Sequence, residues 1–240
     1  MRVAIHQPNY APWCGYFAKL AAAQVFVLLD DAQMPSGRSY VSRTRLLGAS
    51  GPQWLSVPVH HHAQERICDV SFAEPSWARR HLATWQARYA RAPFFAPIFE
   101  RLQSLYAQPG ELLADFNERL VRLLAEVLGL TTPIVRASEL SVAATGDARL
   151  VALCQAVGGT EYLSGPSGPR YQHETSFVAA GLRLQVRAYE PLAYPQGGPF
   201  IPGLSMLDAL FRLGPAAREL LRYPELAAQI KKISIQIYEE

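Results

Sequence analysis

The chain has 240 residues, of which 50% are apolar, 18% charged and 10% aromatic. That excludes a disordered or fibrous polypeptide, because this much apolar surface fills at least one sizeable core. A net charge of +3 does not announce nucleic-acid binding by itself, and no apolar run approaches the roughly 18–20 residues of a membrane helix. The opening MRVAIHQPNY carries neither a signal core nor a cleavage pattern, so the expectation is a cytoplasmic protein with no membrane and no DNA partner.

In chain order, Arg2–Ile5 is a short apolar run that His6-Gln7-Pro8 ends, since proline cannot continue a central strand. Gly15–Ala23 predicts a short helix, and Val25–Leu29 a buried strand bounded by Asp30-Asp31. A polar, arginine-bearing stretch runs from Ala32 to Ser50, and Gln53–Val59 is the next strand candidate. From Glu74 to Gly129 the pattern is helical, with a start at Pro75-Ser76, a broad apolar face over Glu111–Leu128 and a stop at Gly129. Strands then alternate with helices again: strand at 132–136, a helix at 148–157 capped by Asp147, strand at 160–163, strand at 182–186, and a helix at 204–213. This alternation predicts an α/β fold, a mostly parallel sheet flanked by helices, with residues 1–73 and 130–222 as the core and 74–129 as a helical insertion or subdomain. The segment 223–240 ends in IKKISIQIYEE, which holds two of the three lysines and four of the nine isoleucines. A non-native tail and an edge strand through Ile233, Ile235 and Ile237 both account for it.

The polar residues gather after the predicted strands: His6-Gln7 after the first, Asp30-Asp31 after the second, Ser164-Gly165 after a later one. In an open parallel sheet, ligands bind at the carboxyl ends of the strands. His6 suits acid–base work near neutral pH, with Asp30 or Asp31 orienting the ring; a backbone-bonded histidine and a turn-forming Asp pair are the plain alternatives. The two aspartates also suit a divalent metal, although no required cofactor is the default expectation. Arg38, Arg43 and Arg45 sit where they can clamp an anion, or simply in a solvated loop. Ser164–Gly168 can wrap amides around an anion but lacks the lysine and spacing of a P-loop. Cys14 is close enough in sequence to His6 for a nucleophile pair, though free cysteine is more often a small buried hydrophobe. Its companions Cys68 and Cys154 fit neither a disulfide framework nor a zinc site, and consecutive His60-His61-His62 lacks the usual spacing of zinc ligands.

The runs IHQPNYAPWCGYFAKL, VFVLLDDAQ, SRTRL, GPQWLSVPV, EYLSGPSGPRY and YPQGGPFIPGLSMLDALFRLGP resemble the WbqC-like protein family over nearly the whole chain before its last residues. The matching positions include His6, Gln7, Asn9, Tyr10, Asp30, Asp31, Gln33, Arg43, Arg45, Ser164, Gly165, Tyr171 and Asp208. Cys14 stands where an aliphatic residue is expected, and Gln172-His173-Glu174 replaces an aspartate-bearing segment. The resemblance implies a biosynthetic role in bacterial surface-glycan or specialised-metabolite assembly, as an acyl or aminoacyl transferase acting on an amine or aminosugar. Its donor would be an acyl carrier protein, coenzyme A or an aminoacyl-tRNA. In that reading His6, Asp30, Asp31 and Cys14 are the catalytic candidates, while Gln7, Asn9, Tyr10, Gln33, Arg43, Arg45, Ser164, Gly165 and Tyr171 bind substrate. A nucleotidyl transferase with a HIGH-like α/β fold and a non-catalytic ligand-binding protein are the competing readings. Asp208, three residues after Ser205, also fits a plain helix-capping box.

Overall fold

A computed structural model describes residues 1–37 and 39–223. Arg38 and the isoleucines of the last eleven residues lie outside the described residues. The centre is a five-stranded, all-parallel sheet made of β1 (Arg2–His6), β2 (Val25–Leu28) and three strands from later in the chain. Between them, α1 (Cys14–Ala22) connects β1 to β2. A hairpin of β3 (Arg43–Gly48) and β4 (Gly51–Ser56) follows, and then the short pair β5 (Val59–His60) and β6 (Ser71–Phe72). Three helices come next, α2 (Trp77–Tyr89), α3 (Phe95–Ala107) and α4 (Leu113–Val127). The chain returns to the sheet through β7 (Ile134–Arg136), α5 (Gly146–Ala156), β8 (Glu161–Ser164), α6 (Glu174–Ala179) and β9 (Arg183–Val186), and α7 (Met206–Leu213) closes the fold.

The strand order is β7-β2-β1-β8-β9. From β1 the chain builds outward through β2 and β7, then crosses back to place β8 and β9 on the other side of β1. The reversal opens a crevice at the carboxyl ends of β1 and β8.

The period-two pattern of the strands explains why both faces are covered. Ala4, Phe26, Leu28 and Leu163 pack on one face with Phe17 and Leu20 of α1 and with the helices α2–α4 and α7. Val3, Ile5, Val27 and Tyr162 pack on the other with Val151, Leu153 and Cys154 of α5 and Phe177 of α6. The helical segment 74–129 has no separate core: Trp77, Trp85 and Phe116 belong to the same apolar cluster as Phe17 and Phe211.

Several local expectations need correction. The polar stretch 32–50 contains β3, whose alternating buried positions Thr44 and Leu46 carry it into the core. The helix α6 was not legible, being only six residues long. Asp147 does not cap α5; Thr145 occupies that place, and the Asp147 carboxylate accepts from the backbone N–H and ring of His173. Only half of the expected capping box forms: Ser205 Oγ accepts from Leu207 N, while Ser205 N donates to the Arg45 carbonyl.

Candidate functional site

The crevice at the switch point holds a cavity of about 520 Å³, within the roughly 300–1,000 Å³ of small-molecule sites. β1 contributes Ile5 and His6, and Gln7 follows. The first turns of α1 supply Gly15, Tyr16 and Lys19, and β8 supplies Tyr162 and Ser164. The loop Gly165–Gly168, Tyr171 and Gln172 form one wall, and Arg187, Tyr189 and Tyr223 another. Two cations, one histidine and several aromatic rings thus line the space, and none of the described lining residues is an Asp or Glu.

His6 Nδ1 lies 3.1 Å from the Gln7 carbonyl oxygen. A carbonyl only accepts, so Nδ1 carries the hydrogen and Nε2 keeps its lone pair. The ring meets Tyr16 edge-on at 4.8 Å between centroids. Burial, and then the charge of Lys19, hold the imidazole pKa down to about 3, against the raising effect of the Gln7 carbonyl. His6 is therefore neutral in the empty cavity at physiological pH.

Lys19 is the charged residue of the otherwise uncharged α1. It is 8% exposed, its Nζ donates to the Ile5 carbonyl at 2.8 Å, and it lies 5.9 Å from the centre of the Tyr162 ring. Burial lowers its pKa to about 8. Ser164 Oγ donates to Gln172 Oε1 at 2.6 Å, and Gln172 Nε2 donates to the Tyr162 hydroxyl at 3.2 Å. That chain of bonds sets the shape of the loop wall. Gly168 has to be small there: a Cβ would fall 2.1 Å from Ser164 Oγ. Gly15 is equally constrained, because the Trp13 ring covers the place a Cβ would take.

Of the residues singled out from the sequence, His6, Gln7, Ser164, Gly165 and Tyr171 line this cavity. The others do not. Asp30, at the end of β2, accepts from Ser138 N at 3.0 Å and from Ser138 Oγ at 2.6 Å, and Asp31 pairs with Arg149. Neither orients His6, whose Nδ1 is bonded to backbone, and the two carboxylates are spent on separate partners rather than presented to one ion. Among the described residues no group of three or more His, Cys, Asp or Glu could hold a metal ion.

Cys14 faces away from the cavity, into a small apolar space lined by Trp13, Tyr189, Tyr194 and Leu204. Burial is the main cause that pushes its thiol up to about 12, which leaves almost no thiolate for nucleophilic work at neutral pH. Asn9 and Tyr10 belong to a buried loop pinned from α4, β3, α7 and the turn before β3. Asn117 Nδ2 donates to the Pro8 carbonyl, Thr44 Oγ1 to that of Ala11, Met206 N to that of Pro12, and Tyr10 N to that of Tyr40. The Tyr10 hydroxyl meets His81 at 2.6 Å in the helical core. Gln33 is exposed and bridges to Arg66. Arg43 and Arg45 lie on the outer face of the β3–β4 hairpin, with the Arg43 guanidinium 3.9 Å from the centre of the Trp54 ring. Asp208 is fully buried and bonds Tyr194 and Arg212.

Sequence reasoning missed Lys19, Tyr16, Tyr162, Arg187 and Tyr189. For Lys19 a signal existed: a lysine inside GYFAKLAAA, in a chain whose other basic residues are nearly all arginines. The tyrosines carried none, since an aromatic residue in an apolar stretch reads as core.

No helix among the described residues is long and apolar enough to cross a membrane. An uncharacterized protein of Mycobacterium tuberculosis (strain ATCC 25618 / H37Rv), Rv1507c, is 34% identical over 231 residues, spanning 92% of this chain and 98% of its own length. No solved structure matches the chain. The model of the WbqC-like protein family matches residues 7–220, from the loop that pins β1 to the helical turns beyond α7, and the chain belongs to that family.

Proposed function

We propose that the protein is a biosynthetic transferase that moves an acyl or aminoacyl group from an activated donor to an amine, in the cavity between the ends of β1 and β8. The observation that carries this reading is the free Nε2 of a neutral His6, presented in a cavity whose described lining also holds two cations and no carboxylate. In the reaction the amine nitrogen attacks the donor carbonyl carbon and forms the new C–N bond. The nitrogen gives up a proton to His6 Nε2, the bond to the leaving thiolate or alkoxide breaks, and the imidazolium returns that proton to the leaving group. No enzyme-bound intermediate is needed, in keeping with the suppressed Cys14 thiol.

Mass spectrometry of products from coenzyme A and carrier-protein thioesters or aminoacyl-tRNA, with amine and aminosugar acceptors, tests the reading. Amide product formed by wild type and Cys14→Ser but lost by roughly a hundredfold or more in His6→Asn supports it. A protein-bound adduct that disappears in Cys14→Ser overturns the direct mechanism.

A second reading, nucleotidyl transfer, is favoured by the strand order, which matches the first five strands of the nucleotide-binding doubly wound fold. Release of pyrophosphate from a nucleoside triphosphate in the presence of acceptor separates it from acyl transfer. Tight ligand binding with neither activity points to a non-catalytic binding protein.

A further inference from the structure

Lys19 poses a problem that its own surroundings do not solve. A buried ammonium is costly unless it is paired. Yet Lys19 makes no ion pair among the described residues and donates one hydrogen bond, to the Ile5 carbonyl. Its neighbours are the neutral His6, the Tyr162 ring and the Cys154 thiol, which burial keeps protonated. Among the described residues the cavity it lines contains no carboxylate, and Arg187 stands on another wall of the same space.

We propose that Lys19 is the anion-binding residue of this cavity and holds a phosphate or carboxylate oxygen of the ligand beside His6. Resting on the transferase reading, this assigns the donor to the anionic class, with the planar or apolar part of the molecule against Tyr16, Tyr162, Tyr171 and Tyr189. It also couples binding to chemistry. Lys19 is one of the causes that keep His6 unprotonated, so an anion that neutralises Lys19 makes Nε2 a stronger base only when the donor is present.

Pyrophosphate, adenosine monophosphate and acetate serve as probes in calorimetric titrations of the full chain at pH 7. Pyrophosphate or adenosine monophosphate binding, weakened roughly tenfold or more in Lys19→Met, is the expected result for a phosphate ligand; acetate binding with the same loss identifies a carboxylate instead. Should Lys19→Met fail to fold, the wild type gives the answer: the bound anion slows reductive methylation of Lys19 relative to the peptide carrying Lys231 and Lys232. Equal affinity in wild type and Lys19→Met, or no binding of any probe together with unchanged methylation, overturns the inference. Amide formation that survives in Lys19→Met would overturn it while keeping the transferase reading. Anion binding without turnover does the reverse.

Discussion

Lys19 Nζ donates to the Ile5 carbonyl across 2.8 Å, joining the middle of α1 to the β1 residue just before His6. This bond ties the charged end of a helix residue to the strand that carries His6, so the cation and the imidazole keep a fixed relation. The same closeness makes each sensitive to the other's charge.

The protonation of Lys19 sets a stability dependence above neutrality. Its folded pKa, about 8, lies below the unfolded value of about 10.4, so between those values the unfolded chain binds more protons and stability rises with pH. The surrounding groups, His6, Tyr162 and Cys154, stay neutral through this window. Wild type therefore gains stability relative to Lys19→Met by up to about 3 kcal/mol between pH 7 and pH 10.5. Urea unfolding at pH 7, 9 and 10 checks it; a gap independent of pH refutes the assignment.

On the acid side two histidines act together, the buried His81 and the half-buried His6. Burial lowers His6 to about 3 and His81 to about 4. Both contribute stability above the unfolded value of about 6.5 that is lost as pH falls through their folded values, since the unfolded chain takes up protons first. His6→Asn should flatten the loss between pH 6.5 and 4 in a denaturation series, and His81→Gln should flatten it while costing stability at pH 7 through the broken Tyr10 contact.

The three thiols differ in reach. Cys14 and Cys154 are buried and pushed up to about 12, while Cys68 is partly exposed and raised less. Iodoacetamide at pH 8 is expected to modify Cys68 first, with Cys14 and Cys154 reacting only in denaturant. Rapid native labelling of Cys14, read by peptide mass spectrometry, would restore it as a nucleophile candidate.

Asp30 acts through Ser138. Replacing it by alanine leaves a backbone N–H and a hydroxyl without their acceptor and should cost about 1–3 kcal/mol. Ligand affinity in the cavity is expected to change little, because Asp30 does not line it. A large loss of turnover with unchanged unfolding midpoint would argue for a catalytic role instead.

Gly15→Ala places a methyl group where the Trp13 ring lies, 2.4 Å from its nearest atom. The ring has to turn, at about 1–3 kcal/mol, and it is a wall of the cavity. Pyrophosphate titration of this variant should show weaker binding than wild type, with the unfolding temperature lowered by about 2–12 °C.

Part of the architecture was legible because a strand buried on both faces leaves a continuous apolar run, as in Val25–Leu28; the edge strand Arg183–Val186 also falls within its expected segment. Helical stops were equally clear, as at Gly129, whose φ of +65° suits glycine. The hairpin strand β3 was obscured by Arg43 and Arg45, which point outward in alternation with buried Thr44 and Leu46. The cavity lining was legible only at strand ends. His6 and Ser164-Gly165, which that rule singled out, line the cavity, whereas Asp30-Asp31 obey the same rule and yet bond Ser138 and Arg149.

The sequence by itself determined the α/β class, the strands of the sheet and the neighbourhood of His6, because hydrophobic periodicity and strand-ending residues are local signals. Tertiary structure alone decided which polar groups share a space. Strand order put β8 beside β1, burial silenced Cys14, and partners 108 and 118 residues away claimed the two aspartates. Lys19 became a site residue for the same reason: its meaning depends on what lies across the cavity, and that is set by long-range packing rather than by spacing along the chain.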